Sequence, residues 1–247
     1  MTLKKSDTSW IELDTVDSTN NYAMALVHAG VAQHGTVVFA HHQTRGKGQR
    51  GKVWESNRGA NLSFSIIVQP HFLLPAQAFQ LLATVAVSIR NVLNGKMGDE
   101  TKIKWPNDLY WRDRKTGGIL IENVFRGAQW PWAIIGIGIN INQTDFSHLH
   151  HAVSMKQVTG NETDLKQLAE EIHDNLMMSL QSLEKNGFAD FYSQYKQQLY
   201  KLGETVRLKK ANRSFETKIN TVNEQGQLVT GFDVEECFEF GEVEWMI

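Results

Sequence analysis

A glycine-rich basic segment gives the strongest chemical signal in the sequence. Residues 43–52 read Gln-Thr-Arg-Gly-Lys-Gly-Gln-Arg-Gly-Lys and lie in the polar stretch that follows a β-rich run. The glycines let the backbone approach a ligand closely and direct N–H groups at anionic oxygens, and the interleaved arginines and lysines add positive charge. The segment lacks the ending of a Walker A loop and the spacing of a dinucleotide fingerprint. It predicts a site for a nucleotide phosphate or a carboxylate, and a solvated basic hairpin is an equally good interpretation of the segment alone.

A proline turn and a Gly-Gly strand start give the second signal. Residues 104–108 read Lys-Trp-Pro-Asn-Asp. Pro106 fixes a turn, which would bring three polar residues together near one strand end: Lys104, Asn107 and Asp108. Lys115 lies just before Gly117 and Gly118, a rigid position for a cation at the start of an apolar strand. Phosphoryl chemistry needs fixed cations and a carboxylate that can hold Mg²⁺ or orient an amine. Either half alone could be an ordinary hairpin, but both beside a second glycine–basic loop favour a site.

A strand interrupted by glycines is the third segment. Residues 136–142 read Gly-Ile-Gly-Ile-Asn-Ile-Asn. Glycines inside a strand usually indicate close approach of a ligand or of another backbone. Asn140 offers both a donor and an acceptor, which suits an adenine edge. Taken alone, the segment is better interpreted as a glycine-containing core strand.

The periodicity around these segments predicts an α+β architecture with a mixed sheet. Helices are predicted at 20–29, 75–93, 165–183 and 188–200, and strands at 36–40, 61–68, 118–124 and 132–141. Ser18 or Thr19 is placed to cap the first helix, and Gly30 to end it. Short β-rich runs separated by turn signals follow, at 204–208, 215–222, 227–230 and 237–243. We therefore expect a large site-bearing domain over residues 1–199 and a small β domain over residues 200–247.

Composition narrows the class of protein. The formal net charge is −2 and the pI is near 6.5, which argues against a surface built broadly for nucleic acid. Cys237 is the only cysteine, which excludes an intrachain disulfide and fits a reducing compartment. No signal peptide follows Met1, and no apolar run approaches the roughly 20 residues of a membrane span. The histidines at 41–42 and 148–151 lack metal-ligand spacing. We expect a soluble, cytoplasmic protein with neither a membrane nor a nucleic-acid partner.

Together these segments resemble the biotin–protein ligase family. The family's motifs are matched in family order at residues 18–20 (Ser-Thr-Asn), 46–51 (the Gly-Arg-Gly-Arg-Arg-Gly-type loop), 104–108 (Lys-Trp-Pro-Asn-Asp), 115 with 118–122 (a lysine before Gly-Ile-Leu-hydrophobic-Glu) and 136–140 (Gly-x-Gly-Ile-Asn). The Lys-Trp-Pro-Asn-Asp run matches without a change, and within that order it is highly specific. The C-terminal part is similar to the family's small domain in its short β-rich runs and turn signals, but it matches no motif.

The resemblance implies a mixed-sheet catalytic domain of the biotin/lipoate ligase type that binds biotin and ATP, followed by a small SH3-like β-barrel domain. It implies activation of biotin by ATP, with Mg²⁺, to biotinyl-5′-AMP, and transfer of biotin to a lysine of a biotin carboxyl carrier protein. About 16 residues precede the first motif, so we expect the form without the helix-turn-helix domain of repressor members. Homodimer formation and the identity of the carrier stay open. The alternatives are an enzyme acting on lipoate or octanoate, and a non-catalytic sensor that stores biotin or a nucleotide.

Carried over position by position, the resemblance also implies residue roles. Contacts to biotin are implied for Ser18, Thr19, Asn20, Gln43, Gly46, Lys47, Gly48, Lys115 and Gly118. Contacts to ATP or the adenylate are implied for Gln49, Arg50, Lys104, Trp105, Asn107 and Asn140. Catalytic roles are implied for Lys115, Asp108 and Lys47, and Asp108 is also the candidate Mg²⁺ ligand. Lys47 and Gln49 stand at positions where many members carry arginine. Whether Gln49 can help to hold the adenylate in the site therefore stays open.

Overall fold

A computed structural model describes residues 9–147, 149 and 151–246. The prediction that no signal peptide follows Met1, and two of the histidines considered as metal ligands, His148 and His150, lie outside the described residues.

A seven-stranded mixed sheet forms the centre of the larger part of the chain. In spatial order its strands are β1 (Trp10–Leu13), β2 (Val37–Ala40), β3 (Leu62–Val68), β7 (Gln129–Ile139), β6 (Arg114–Arg126), β5 (Asp108–Trp111) and β4 (Thr101–Lys104). The β1–β2 pair is parallel and the other pairs are antiparallel. The sheet therefore confirms the predicted α+β class with a mixed sheet.

Helices pack on the sheet and bury its apolar side chains. They are α1 (Thr19–His28), α2 (Ala78–Met97, preceded by a 3₁₀ turn at Pro75–Gln77), α3 (Met155–Thr159), α4 (Leu165–Asn186) and α5 (Ala189–Gln197). A large core joins the sheet to α2, α4 and α5, with Phe64 and Ile135 among its fully buried side chains. A smaller cluster lies under α1 and includes Val38 and Ile134. Neighbouring strand residues therefore belong to different clusters, as the alternation of side chains across a pleated strand requires.

The C-terminal part forms a separate five-stranded antiparallel sheet. In spatial order its strands are β11 (Glu236–Phe238), β10 (Leu228–Thr230), β9 (Arg213–Val222), β8 (Thr205–Lys210) and β12 (Glu244–Trp245). Buried residues of this sheet, Leu208 and Phe238 among them, belong to the same continuous core cluster as the first sheet. The expected small β region is present, and its domain boundary stays a prediction.

Several local expectations differ from the structure. Ser18 occupies the N-cap of α1 but makes no capping hydrogen bond, and the first N–H of the helix, that of Thr19, donates to Gln43 Oε1 at 2.8 Å. The predicted strand at 237–243 is present only in its first two residues, which belong to β11, since a turn with Gly241 at φ +83° separates β11 from β12. Five of the described helices and strands had no counterpart in the sequence predictions: β1, β4, β5, α3 and β12.

The helical segment Pro75–Met97 also differs from expectation. It is 23 residues long, and by length and composition it passes as a candidate membrane span, with a hydropathy of 1.2. However, 61% of that window is buried inside the protein. The core helix of a soluble protein has the same properties, so the segment is weak evidence for a membrane span.

Tyr195 of α5 connects this helix to the turn at residues 104–108. The side chain is fully buried, and its hydroxyl donates a hydrogen bond to the carbonyl oxygen of Pro106 at 2.8 Å. This hydrogen bond fixes the turn to α5.

Replacing Tyr195 by phenylalanine should destabilise the protein by about 1–3 kcal/mol, because the buried carbonyl of Pro106 loses its partner. The free energy of unfolding in urea measures this. Tyr22→Phe is the matched control, since the hydroxyl of Tyr22 has no hydrogen bond among the described residues, and its effect should stay within about 0.5 kcal/mol. Equal stability of the two variants would show that the Tyr195 hydroxyl does not anchor the turn.

Candidate active site

A cavity of about 670 Å³ lies over the middle of the seven-stranded sheet. On the face of the sheet that carries α1, small residues meet at two places: Gly118 pairs with Gly138 across β6 and β7, and Gly136 of β7 lies between Ser65 of β3 and Leu120 of β6. The intervening positions point to the opposite face and are large and buried, as Ile137 is. Small residues on one face leave a hollow above the strands, which is the size of a small-molecule site.

The glycines of β7 are explained by side chains that cross them. A Cβ on Gly136 would lie 2.2 Å from Asn20 Oδ1, and a Cβ on Gly138 would lie 2.5 Å from the Trp54 indole. The close approach predicted for this strand is therefore made, in the structure, by two side chains of the site itself. Any side chain at either glycine would displace the cavity wall.

Polar side chains at the start of α1 form the floor of the cavity. Ser65 Oγ lies 2.7 Å from Thr19 Oγ1 and 2.6 Å from Asn20 Oδ1. Gln43 Oε1 accepts from Thr19 Oγ1 at 3.2 Å as well as from the Thr19 N–H. Ser18 is also buried and lines the cavity. The predicted biotin contacts at Ser18, Thr19, Asn20 and Gln43 are thus brought together.

The glycine-rich loop folds as a compact hairpin over this floor. Trp54 N–H donates to the Gly46 carbonyl at 2.9 Å, and Gly48 N–H donates to the Lys52 carbonyl at 2.7 Å. A Cβ on Gly46 would lie 2.3 Å from the Trp54 carbonyl oxygen, so Gly46 is required by the closure of the hairpin. At the tip, Gln49–Gly51 form a 3₁₀ turn in which Arg50 has φ 56°.

Two loop cations contact different parts of the chain. Lys47 Nζ lies 3.2 Å from Glu122 Oε1 on β6. Arg50 Nη1 donates to the carbonyl oxygen of Gly241, in the turn between β11 and β12, at 2.7 Å. The loop thereby joins the seven-stranded sheet to the C-terminal sheet. Lys47, Gly48, Gln49 and Arg50 all line the cavity.

Lys115 and Asp108 form an ion pair at the cavity, with Lys115 Nζ 2.7 Å from Asp108 Oδ1. Asp108 pairs with Gly118 across β5 and β6, but a register shift then makes Tyr110 the partner of Lys115. In a regular strand, Lys115 would point away from the face that Gly118 occupies, because their separation is odd. The bulge adds a residue to β6 and turns Lys115 to the cavity side.

The turn between β4 and β5 presents the remaining predicted residues. Lys104 and Asp108 are register partners, so the proline turn brings them together as expected. Asn107 is buried and donates from Nδ2 to the Ile119 carbonyl at 2.5 Å, which fixes the turn to β6. Trp105 donates from Nε1 to the carbonyl of Gly226, in the turn between β9 and β10 of the C-terminal sheet, at 2.8 Å.

Asn140 lies apart from the other predicted site residues. It lines a second cavity of about 510 Å³ that shares Trp54 and Lys115 with the first. Its side chain is buried, and Nδ2 lies 3.4 Å from the Val153 carbonyl and 3.5 Å from that of Lys115. In the structure Asn140 therefore braces the backbone beside Lys115.

The cavity has an excess of positive charge. Among the described residues that line it, five cations face two carboxylates: Lys47, Arg50, Lys52, Lys104 and Lys115 against Asp108 and Glu244. Burial lowers the pKa of Lys104 to about 8, and its ammonium lies 3.2 Å from the Tyr110 hydroxyl. Burial also raises the pKa of that hydroxyl, so Tyr110 stays protonated. Such a cavity suits a ligand with several negative charges.

Sequence reasoning assigned no role to several residues of the site. Ser65 and Glu122 bond to the floor or to the loop, and Phe240, Gly241 and Trp245 of the C-terminal part line the cavity. A signal existed for the first two, because Ser65 alternates with apolar residues in its strand and Glu122 ends the matched Gly-Ile-Leu-hydrophobic-Glu motif. The C-terminal residues had none, since their approach depends on tertiary packing. In the described part of the chain no group of three or more His, Cys, Asp or Glu could hold a metal ion.

Gly241→Ala should release the loop from the C-terminal sheet. A Cβ there would lie 2.0 Å from Arg50 Nη1, so the guanidinium must move away. The matched control is Gly187→Ala, at φ +79° but with nothing within 4 Å of the added atom. Both variants should lose about 1 kcal/mol of stability from backbone strain. Hydrogen exchange of the loop amides should accelerate in Gly241→Ala alone, and equal exchange in both variants would contradict the Arg50 contact.

Residues 12–140 match the Biotin/lipoate A/B protein ligase family. The chain is 32% identical over 185 residues to the bifunctional ligase/repressor BirA of Escherichia coli, which covers 74% of this chain and 57% of that protein. It is 34% identical over 142 residues to the biotin–[acetyl-CoA-carboxylase] ligase of Mycobacterium tuberculosis, which covers 54% of this chain and 51% of that protein. The chain thus spans somewhat more than half the length of these curated relatives.

Among solved structures, the biotin protein ligase of Aquifex aeolicus in complex with biotin and ATP superimposes with a TM-score of 0.81. The two chains are 25% identical, and the match covers 96% of this chain and 98% of the other. The similarity therefore includes the C-terminal sheet as well as the seven-stranded one.

Proposed function

This chain belongs to the biotin/lipoate A/B protein ligase family, and we propose that within it the chain is a biotin–protein ligase. It activates biotin with ATP to biotinyl-5′-AMP and then transfers biotin to a lysine of a biotin carboxyl carrier protein. The observation that carries the proposal is the strongly cationic cavity with the Lys115–Asp108 pair at the sheet. The complex of the Aquifex aeolicus protein with biotin and ATP supports it.

The first step joins two anions, which the cations of the cavity make feasible. A carboxylate oxygen of biotin attacks the α-phosphorus of ATP, the bond from that phosphorus to the bridging oxygen breaks, and pyrophosphate leaves. Fixed positive charge stabilises the charge that builds on the phosphate oxygens in the transition state. We assign this role to Lys115, held in position by its ion pair with Asp108. Lys47, Gln49 and Arg50 of the loop, with Lys104 of the turn, contact the remaining phosphate oxygens.

The second step transfers biotin from the adenylate. The neutral amine of the carrier lysine attacks the acyl carbon of the mixed anhydride, the acyl–oxygen bond breaks, and AMP leaves. We propose that Asp108 orients that amine or accepts its proton, through the carboxylate oxygen that Lys115 does not occupy. The loop at residues 43–52 covers the anhydride and limits its hydrolysis by water.

Mg²⁺ enters the proposal with the nucleotide. In proteins this ion usually binds through one or two carboxylates together with substrate phosphates. Asp108 provides one carboxylate at the cavity, and its Oδ1 is paired with Lys115. That arrangement supports delivery of Mg²⁺ as a complex with ATP, with Asp108 Oδ2 as the available protein ligand.

Asn140 and the C-terminal sheet complete the proposal. The second cavity lies next to Lys115, so we assign it to the adenine end of ATP, with Asn140 in its wall.

We propose that the five-stranded sheet is the small SH3-like domain expected from residue 200 onwards. The antiparallel topology of the sheet supports this. The exposed free thiol of Cys237 supports a cytoplasmic location. We propose no nucleic-acid partner, since the net charge of the chain is −2.

Pyrophosphate release tests the substrate. With ATP and Mg²⁺, biotin should support release of pyrophosphate and formation of an adenylate detectable by mass, whereas lipoate and octanoate should not. Equal turnover with lipoate would indicate the related ligase activity, and biotin binding without pyrophosphate release would indicate a non-catalytic sensor.

Lys115→Ala should lower the rate of adenylate formation roughly a hundredfold or more, because a fixed cation at the reacting phosphate is worth a few kcal/mol in the transition state. The rate of pyrophosphate release measures this, with circular dichroism as the check on folding. Lys102→Ala is the control: this neighbouring lysine lies on β4, donates to Gln198, and does not line the cavity. Near-normal turnover in Lys115→Ala would show that this lysine is only a residue of the hairpin and has no role in adenylate formation.

ATP affinity should fall as the pH rises through about 8, because Lys104 loses its proton in that range. The pKa is lowered by burial, so the ammonium is present below pH 8 and the neutral amine above it. Lys104→Met should weaken binding about tenfold at pH 7, the worth of one charged hydrogen bond. In that variant the change in affinity between pH 7 and 9 should disappear, as measured by calorimetry. An unaltered pH profile would exclude Lys104 as a phosphate contact.

A further inference from the structure

Glu122 lies beyond the edge of the cavity and touches two parts of the site. It is on β6, on the same face as Gly118 and Leu120, which line the cavity. Both of its carboxylate oxygens are engaged. Oε2 accepts from Asn20 Nδ2 at 2.7 Å, and Oε1 lies 3.2 Å from Lys47 Nζ. One carboxylate thus connects the floor of the cavity to the loop above it.

On the floor, this contact fixes the orientation of the Asn20 amide. Asn20 is buried, and its Oδ1 lies 2.6 Å from Ser65 Oγ while its Nδ2 donates to Glu122. Because a carboxylate only accepts hydrogen bonds, turning the amide over would place Oδ1 against Glu122 and lose that bond. A hydrogen bond to a carboxylate is stronger than one to a neutral acceptor, so the Glu122 contact holds the amide firmly.

At the loop, Glu122 holds a cation that is much more exposed. The side chains of Lys47 and Glu122 are 41% and 29% exposed. Across the described ranges, Glu122 is the only carboxylate that forms an ion pair with residues 43–52. Ion pairs of this exposure are weak, because water solvates both charges and side-chain entropy opposes the contact. An anion in the cavity can therefore replace Glu122 as the partner of Lys47.

We propose that Glu122 is a positioning residue that clasps the loop at residues 43–52 to the cavity floor through Lys47, and yields Lys47 to an incoming carboxylate or phosphate. Its firm bond to Asn20 keeps the carboxylate in place when the lysine leaves. The link from Asn20 through Glu122 to Lys47 is argued from contacts of the described residues and does not depend on the proposed function. Only the identity of the anion, biotin carboxylate or adenylate phosphate, rests on the proposed function.

The substitution Glu122→Gln separates the two contacts. Glutamine retains one carbonyl oxygen, and the buried Asn20 amide should keep it, since an unsatisfied buried donor costs more than an exposed one. The new NH₂ group then faces Lys47 and cannot accept its proton. The matched control is Glu162→Gln, which removes the 2.7 Å pair between Lys156 and Glu162 away from the cavity.

Hydrogen exchange of the ligand-free protein tests the clasp without assuming any activity. The probes are the amides of Gly48, Lys52 and Trp54, which are hydrogen-bonded within the hairpin. In Glu122→Gln they should exchange roughly twofold to fivefold faster, the range expected for a partly exposed ion pair. Lys47→Met, at an exposed position that tolerates substitution, should give the same acceleration. The double variant should be no faster than either single one, because both remove one interaction.

A merely structural role would give a different pattern. Unchanged exchange in Glu122→Gln and Lys47→Met, additive effects in the double variant, or equal acceleration in Glu162→Gln would each overturn the clasp. A second readout concerns the anion: in pyrophosphate release, Glu122→Gln should change the KM for biotin several-fold with little change in kcat. If the wild type releases no pyrophosphate, the proposed function fails while the exchange experiment still decides the clasp.

Discussion

The alternation of residue size along β3 and β7 is the constraint on which the rest of the site depends. One face carries large apolar side chains such as Phe64 and Ile137, which the helices α2 and α4 cover. Where these strands pass under the cavity, the other face carries serine in β3 and glycine in β7, and the adjoining strand β6 carries Gly118 and Leu120 there. Burying the large side chains stabilises the sheet by roughly 1.5–3 kcal/mol for each. The hollow on the opposite face is therefore built on the most rigid part of the protein.

A hollow made by missing side chains has to be walled by segments from elsewhere in the chain. The start of α1 supplies the floor, the loop at residues 43–52 the cover, and the turn at residues 104–108 with the C-terminal sheet the remaining walls. Glycine is needed where these walls cross the strands, because Asn20 and Trp54 occupy the positions that side chains would take. Packing thus determines the shape of the site before any ligand contributes.

The cations of the site are held by partners of graded strength. Lys115 has a close carboxylate in Asp108, Lys47 has a longer contact to Glu122, and Arg50 rests on a backbone carbonyl. Lys104 is held among aromatic rings, where burial lowers its pKa. Strong partners fix the groups assigned to chemistry, and weak ones leave the loop free to exchange them for substrate anions. Site geometry and loop opening are therefore set by the same charges.

The sequence by itself determined which segments carry chemistry and most of the long elements, because periodicity and motif order are local properties. The helices α2 and α4 and the glycine-rich strand β7 follow from spacing alone. Only the tertiary structure decided how those segments meet. The bulge that turns Lys115 towards Asp108 depends on strand register, and the approach of Gly241 to Arg50 joins residues 191 positions apart. Asn140 is a predicted ligand contact, and packing places it in the wall of the second cavity, beside the backbone of Lys115. Such contacts depend on the relative placement of distant elements, which no local pattern of residues encodes.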